Sequence, residues 1–156
     1  MKHAVMCLIA VAAMAAVAAP TAAQSTVVGG GAILTDADWL DFGLQGGAYV
    51  GLGNVLPGLR IGGDVELYLG VDDGSFLAIN GNAQYLFLMG PGLNAYALGG
   101  IGYGRLSNGG TWTDIGLNIG AGMELPLTFG ELYGEVKAVT GDFDRLVLGV
   151  GVRVGM

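Results

Sequence analysis

A polarity alternation of period two runs through almost the whole chain after residue 25, and it leaves room for little besides β-strands. In residues 59–69, Leu59, Ile61, Val65, Leu67 and Leu69 share one face, while Arg60, Asp64, Glu66 and Tyr68 share the other. In residues 113–125, Ile115, Leu117, Ile119, Ala121, Met123 and Leu125 lie opposite Asp114, Asn118, Glu124 and three glycines. Residues 146–156 repeat the pattern, with Leu146, Leu148, Val150, Val152 and Val154 opposite Val147, Gly149, Gly151 and Arg153. Successive strand side chains point to opposite faces, so a sustained period of two reads as strand, and no period of 3.6 competes with it.

Five further runs agree. Residues 76–89 place Asn80, Asn82 and Gln84 opposite Leu77, Ile79, Ala83, Tyr85 and Phe87. Residues 93–103 carry Asn94 and Tyr96 on their polar side, and residues 131–140 set Glu131, Tyr133, Glu135 and Lys137 against Leu132, Val136 and Ala138. Residues 42–52 carry Gln45 and Tyr49 opposite Phe42, Leu44, Ala48 and Val50, and the glycine-rich run 26–34 is the weakest strand. The expected count is eight.

Punctuation orders these strands. Pro57, Pro91 and Pro126 are 34 and 35 residues apart, and acidic segments at 36–41, 72–75, 107–114 and 141–145 fall midway between them. Two strands fit in each interval. Successive turns of an antiparallel meander lie at opposite ends, so one end is proline-turned and the other acidic.

The first 24 residues stand apart. Lys2 and His3 precede an uncharged apolar run over residues 4–19, followed by Pro20-Thr21-Ala22-Ala23. That is the pattern of a secretory signal peptide cleaved near Ala23 or Gln24, and the run is shorter than the roughly 20 residues a membrane helix needs. The expected organisation is a signal peptide over 1–24 and one β-domain over 25–156. Cys7 and His3 are the single cysteine and histidine. The domain therefore contains neither, and strand pairing and burial must hold it without disulfides. Beyond residue 24 there are five Lys/Arg and thirteen Asp/Glu. So acidic a surface is unsuited to nucleic acid.

Strand length and composition decide which face is outside. Eleven residues or more exceed the usual five or six of a soluble sheet and suit a tilted strand crossing a bilayer. An even number of antiparallel strands can close, which removes the edges that lipid would not tolerate. The polar face is rich in glycine (Gly47, Gly62, Gly116, Gly120, Gly149 and Gly151), which would make room for large side chains inside a narrow eight-stranded barrel. It also carries both charge signs. The expected interior network comprises Arg60, Asp64, Glu66, Asn80, Asn82, Asn118, Glu124, Glu131, Glu135, Lys137 and Arg153, because buried charges need partners. Trp39, Phe42, Phe76, Tyr103 and Trp112 near the acidic end, with Tyr85, Phe87 and Phe129 near the proline end, form two expected interfacial aromatic girdles.

With these features the chain resembles the small eight-stranded outer-membrane β-barrels of the outer membrane protein A and outer membrane protein X type. The resemblance covers residues 26–156 and rests on pattern. It implies an all-β, antiparallel, up-and-down transmembrane barrel in the outer membrane of a Gram-negative-type envelope, with short turns in the periplasm and acidic loops outside. The chain departs from the group in lacking its long surface loops. It also ends Val154-Gly155-Met156, where these barrels often carry a C-terminal aromatic read during assembly.

The chemistry available is narrow. Without histidine, Ser-His and Asp-His mechanisms have no base. Glu131 and Glu135 are ~13 Å apart along one strand, too far for a direct acid–base pair. Asp36/Asp38 and Asp72/Asp73 match no calcium-loop spacing. Gly29-Gly30-Gly31 lacks the strand–loop–helix setting of a phosphate loop. The expected protein is not an enzyme and carries no cofactor or metal. Its expected role is structural or surface-interactive, with outer-membrane lipid, lipopolysaccharide or another envelope protein as partners. A narrow pore, or a soluble periplasmic barrel binding an apolar ligand in the manner of lipocalins, are the alternatives.

Overall fold

The computed structural model describes residues 25–36, 42–71, 74–90, 92–107, 109–142 and 144–156. The N-terminal segment, Trp39 and the loop acids Asp38, Asp41, Asp72 and Asp73 lie outside the described residues. Eight strands follow one another: β1 Thr26–Thr35, β2 Phe42–Gly51, β3 Leu59–Val71, β4 Gly74–Gly90, β5 Leu93–Ser107, β6 Thr111–Leu127, β7 Gly130–Thr140 and β8 Arg145–Gly155. Each pairs antiparallel with its neighbours, and β8 pairs with β1 to close the barrel. The closing register runs from Val27↔Gly155 to Thr35↔Val147.

The two ends are built differently. At the β2–β3 turn, Leu59 N–H donates to the Leu56 carbonyl at 3.0 Å. Pro57 and Gly58 occupy the central positions, and Gly58 has φ +84°. Proline first and a positive-φ glycine second is the type II arrangement. Pro126 is the penultimate residue of β6, not a turn residue; the turn itself is Thr128–Phe129. At the acidic end, Asp36 fastens the closing seam. Its carboxylate accepts the Leu146 N–H at 2.7 Å, and its own N–H donates to the Leu146 carbonyl at 3.3 Å.

Strands β4 to β6 extend further toward the acidic end than alternation alone indicates. Ser75 pairs with Ser107, and Ser107 with Thr111. Residues 111 and 112, expected in the acidic segment ahead of the 113–125 run, are therefore strand. Polar hydroxyl residues break the apolar alternation there without breaking the hydrogen-bonded ladder.

The apolar face is on the outside. Ile115, Ile119 and Leu117 are 73%, 66% and 63% exposed. The polar face is inside, where Glu66, Glu124, Lys137 and Gln84 are fully buried. This inverts a soluble barrel, whose apolar face is the core.

Candidate functional site: an ion-paired barrel interior

Alternation along each strand, carried through the register, brings every expected network residue to the interior. Two clusters result. The first is centred on Glu66, which one strand position carries into the middle of the lumen. Its carboxylate pairs with Lys137 and with Arg145 (3.2 Å), and accepts the Tyr68 hydroxyl (2.9 Å) and the Asn80 amide (3.0 Å). Two residues away on the same face, Asp64 accepts from Asn80 (2.7 Å), Asn82 (2.9 Å) and Tyr49 (3.2 Å), with Lys137 at 3.5 Å. Asn118, from β6 across the lumen, donates to the side-chain oxygens of Asn80 and Asn82 at 3.0 Å each. Lys137 is thus shared by two carboxylates whose remaining lone pairs are occupied by amides and hydroxyls. Such satisfaction is the condition under which buried charge is tolerated.

The second cluster lies toward the proline turns, where the start of β3 and β7 and the end of β6 and β8 meet. Glu124 pairs with Arg60 (2.9 Å) and with Arg153. Arg153 also approaches Glu135 at 3.6 Å, and Arg60 reaches Glu131 at 3.9 Å. The Arg153 guanidinium sits among the rings of Tyr133, Tyr96 and Tyr49, at 4.2, 5.2 and 5.4 Å from their centroids. Desolvated cation–π contacts of this kind are worth about 2 kcal/mol. Tyr96 O–H donates to Glu135 at 2.8 Å, and Gln45 donates to the Tyr133 hydroxyl at 2.6 Å.

Glycine supplies the room. A Cβ on Gly122 would strike the Tyr96 ring and hydroxyl, and one on Gly102 would lie 2.6 Å from Asn80 Oδ1. The filling is close to complete. One interior cavity of about 20 Å³ is bordered by Gln45, Tyr49, Asp64, Tyr133, Glu135 and Arg153, and another of about 10 Å³ lies by Asn80 and Arg145. These are of the size of single waters.

Above the Glu66 cluster, at the acidic-loop end, the lumen turns apolar. Ile33, Tyr68, Phe76, Ala78, Val139 and Val147 pack together, with Leu106 against them. Arg145 bridges this cap and the ion pairs, its guanidinium 4.9 Å from the Phe76 ring centroid.

No protein-family model matches the sequence, and no curated protein matches it. Solved structures do. The N-terminal β-barrel domain of Pseudomonas aeruginosa OprF superposes with a TM-score of 0.63 at 19% identity, over 85% of this chain and 97% of that one. Neisserial surface protein A gives 0.61 at 20% identity, over 84% and 95%. The Yersinia pestis attachment protein Ail, in complex with the heparin analogue sucrose octasulfate, gives 0.55 at 18% identity, over 83% and 97%. The fold is that of the small outer-membrane barrels. The three matches cover 83–85% of this chain and 95–97% of the others, so the likeness is to the whole barrel architecture.

Within this barrel the girdle residues divide. Phe42, Tyr103 and Trp112 toward the acidic end, and Tyr85, Phe87 and Phe129 toward the proline end, are exposed. Phe76 is corrected: it is fully buried in the interior cap. Its height suits a girdle, but it shares the face of Asn80 and Asn82, and alternation overrides height. Trp39 lies outside the described residues. Arg145, Tyr133 and Gln45 join the interior network without having been assigned to it. Arg145 was hidden in a segment expected to be loop, although its parity with Val147 and Arg153 places it inside. Among the described residues no cluster of three or more Asp, Glu, His or Cys could hold a metal ion.

Proposed function

We propose that the chain, exported by its N-terminal segment, is an integral outer-membrane barrel whose lumen is closed and whose role is structural or surface-interactive. The observation that carries this reading is the inversion: the wall presents Ile101, Ile115, Leu117, Ile119 and Val150 outward, while lysine, arginines and carboxylates pair within. An apolar wall without edges is the form of sheet that hydrocarbon accepts. A soluble protein would leave that wall against water over a far larger area than a monomer ordinarily exposes. The closed lumen rests on the ion-paired filling and the apolar cap, beside which the two cavities described are water-sized.

The surface role is set by charge. Ail has been solved with a polyanionic heparin analogue. The rim of this chain presents Asp36, Asp142 and Asp144, all exposed, so it suits a cationic partner, or lipopolysaccharide bridged by divalent cations, better than a free polyanion. Planar-bilayer recording on the purified protein tests the closed lumen. Insertion without conductance steps is the expected result. Reproducible steps at low voltage would replace the closed barrel with the narrow pore.

A further inference from the structure

The cations of the barrel are sorted almost completely. Five lysines and arginines follow residue 25. Arg60, Lys137, Arg145 and Arg153 face the lumen and hold carboxylates there. The fifth, Arg105, faces out. It pairs across β5 with Leu77 of β4 and Thr113 of β6, and among the described residues it is the only charged side chain on the outward face of the strands. Directly paired residues share a face with Cβ atoms about 5 Å apart. The register therefore sets hydroxyls on two sides of Arg105: Thr113 beside it, and the Ser75–Ser107–Thr111 row one step toward the acidic-loop end, with Leu77 on its other flank. Arg105, Ser75, Thr111 and Thr113 are exposed. Arg105 forms no ion pair with any described carboxylate; Asp114, next to Thr113, faces the opposite way and lines the interior cavity with Arg145.

Immediately below this patch the wall becomes Ile79, Tyr103 and Ile115, all exposed. Tyr103, level with Ile79 and Ile115 and one row above Ile101 and Leu117, marks the depth where hydrocarbon gives way to headgroups. Charge fits that depth alone: an outward arginine costs about 2–4 kcal/mol at mid-bilayer and roughly 0–1 kcal/mol at the interface. The adjoining loop completes the picture. Of the four connections at this end, 36–41, 72–73 and 141–144 contain aspartates, whereas 108–110, which joins β5 to β6, reads Asn-Gly-Gly. The one acid-free loop stands over the one outward cation.

We propose that Arg105, with the hydroxyls of Ser75, Ser107, Thr111 and Thr113, is a docking site for the phosphate of an anionic membrane lipid, seated on the β4–β5–β6 wall at the acidic-loop end. A guanidinium presents a planar donor fork that suits two phosphate oxygens, and hydroxyls complete the donor set. The inference rests on the transmembrane reading above.

Native mass spectrometry of the protein extracted from membranes and exchanged into micelles of phosphatidylglycerol and phosphatidylcholine tests it. The wild type should retain phosphatidylglycerol selectively. Arg105→Gln should reduce that retention about tenfold, and Arg105→Lys should keep part of it, because a point charge replaces the fork. Equal retention by wild type and Arg105→Gln overturns the site. So does displacement of the lipid by inorganic phosphate, or by a soluble sulfated polysaccharide, at matched concentration, which would make the patch a general anion or polysaccharide site. A heat-dependent gel shift retained by both proteins keeps these failures separate from failure of the barrel in the membrane.

Discussion

Lys137 ties two buried carboxylates together in the first cluster. It is fully buried and contacts both Asp64 and Glu66. Lys137→Met keeps its length and removes its charge, leaving two carboxylates that Arg145 and the neighbouring amides neutralise only in part. Breaking a buried pair from one side costs about 3–5 kcal/mol. Urea unfolding of the barrel in lipid vesicles should show a loss of that size; an unchanged midpoint would mean the network contributes no stability. Ile119, on the other face of the wall, behaves differently. Ile119→Arg should cost about 2–4 kcal/mol yet still give a folded, membrane-bound barrel. In a soluble core the same change would abolish folding, so the fractionation of this variant reports which side of the wall is wet. Glycine sets a third limit. Gly122→Ala forces a Cβ onto Tyr96, and overpacking of this kind costs about 1–3 kcal/mol. Tyr96→Phe in the same chain would not relieve the clash, because the ring itself is struck; Tyr96→Ala would, and recovery of the unfolding midpoint in that double variant checks the contact.

At the scale of the strand, parity was the legible quantity. Once β3 was read with Asp64 and Glu66 on one face, the inward position of both followed, and the same held for Asn80, Asn118, Lys137 and Arg153. Parity is a local property, fixed by the backbone of one strand. Strand ends were less legible. β5 and β6 run on through Arg105, Ser107, Thr111 and Thr113, residues whose polarity reads as loop but whose backbone pairing is intact. Phe76 shows the cost of judging by height and not by parity. Arg145 shows the cost of placing a strand's first residue in the preceding loop. The apolar cap of Ile33, Val139 and Val147 was hidden for a related reason: each lies on a face that otherwise reads as polar, and only closure of the barrel brings the three together.

At the scale of the whole molecule, closure is what alternation cannot supply. An even number of strands permits β8 to meet β1, but the register Val28↔Val154 and Thr35↔Val147 depends on the stagger accumulated through every intervening pair. Which cation meets which carboxylate across the lumen depends on the same stagger. That is why most members of the network were legible and its pairings were not. Closure also sorts the charges: four of the five cations beyond residue 25 are drawn inside, and acids are left at the loop rim. The result is an apolar cylinder with an ion-paired polar interior, an object that makes sense in lipid and not in water. The most direct measurement is the gel mobility of the protein from the membrane fraction, unboiled against boiled in SDS. An SDS-resistant closed barrel embedded in the outer membrane predicts a clear heat-dependent shift. Recovery of the protein in the soluble periplasmic fraction, with no shift on boiling, would contradict it.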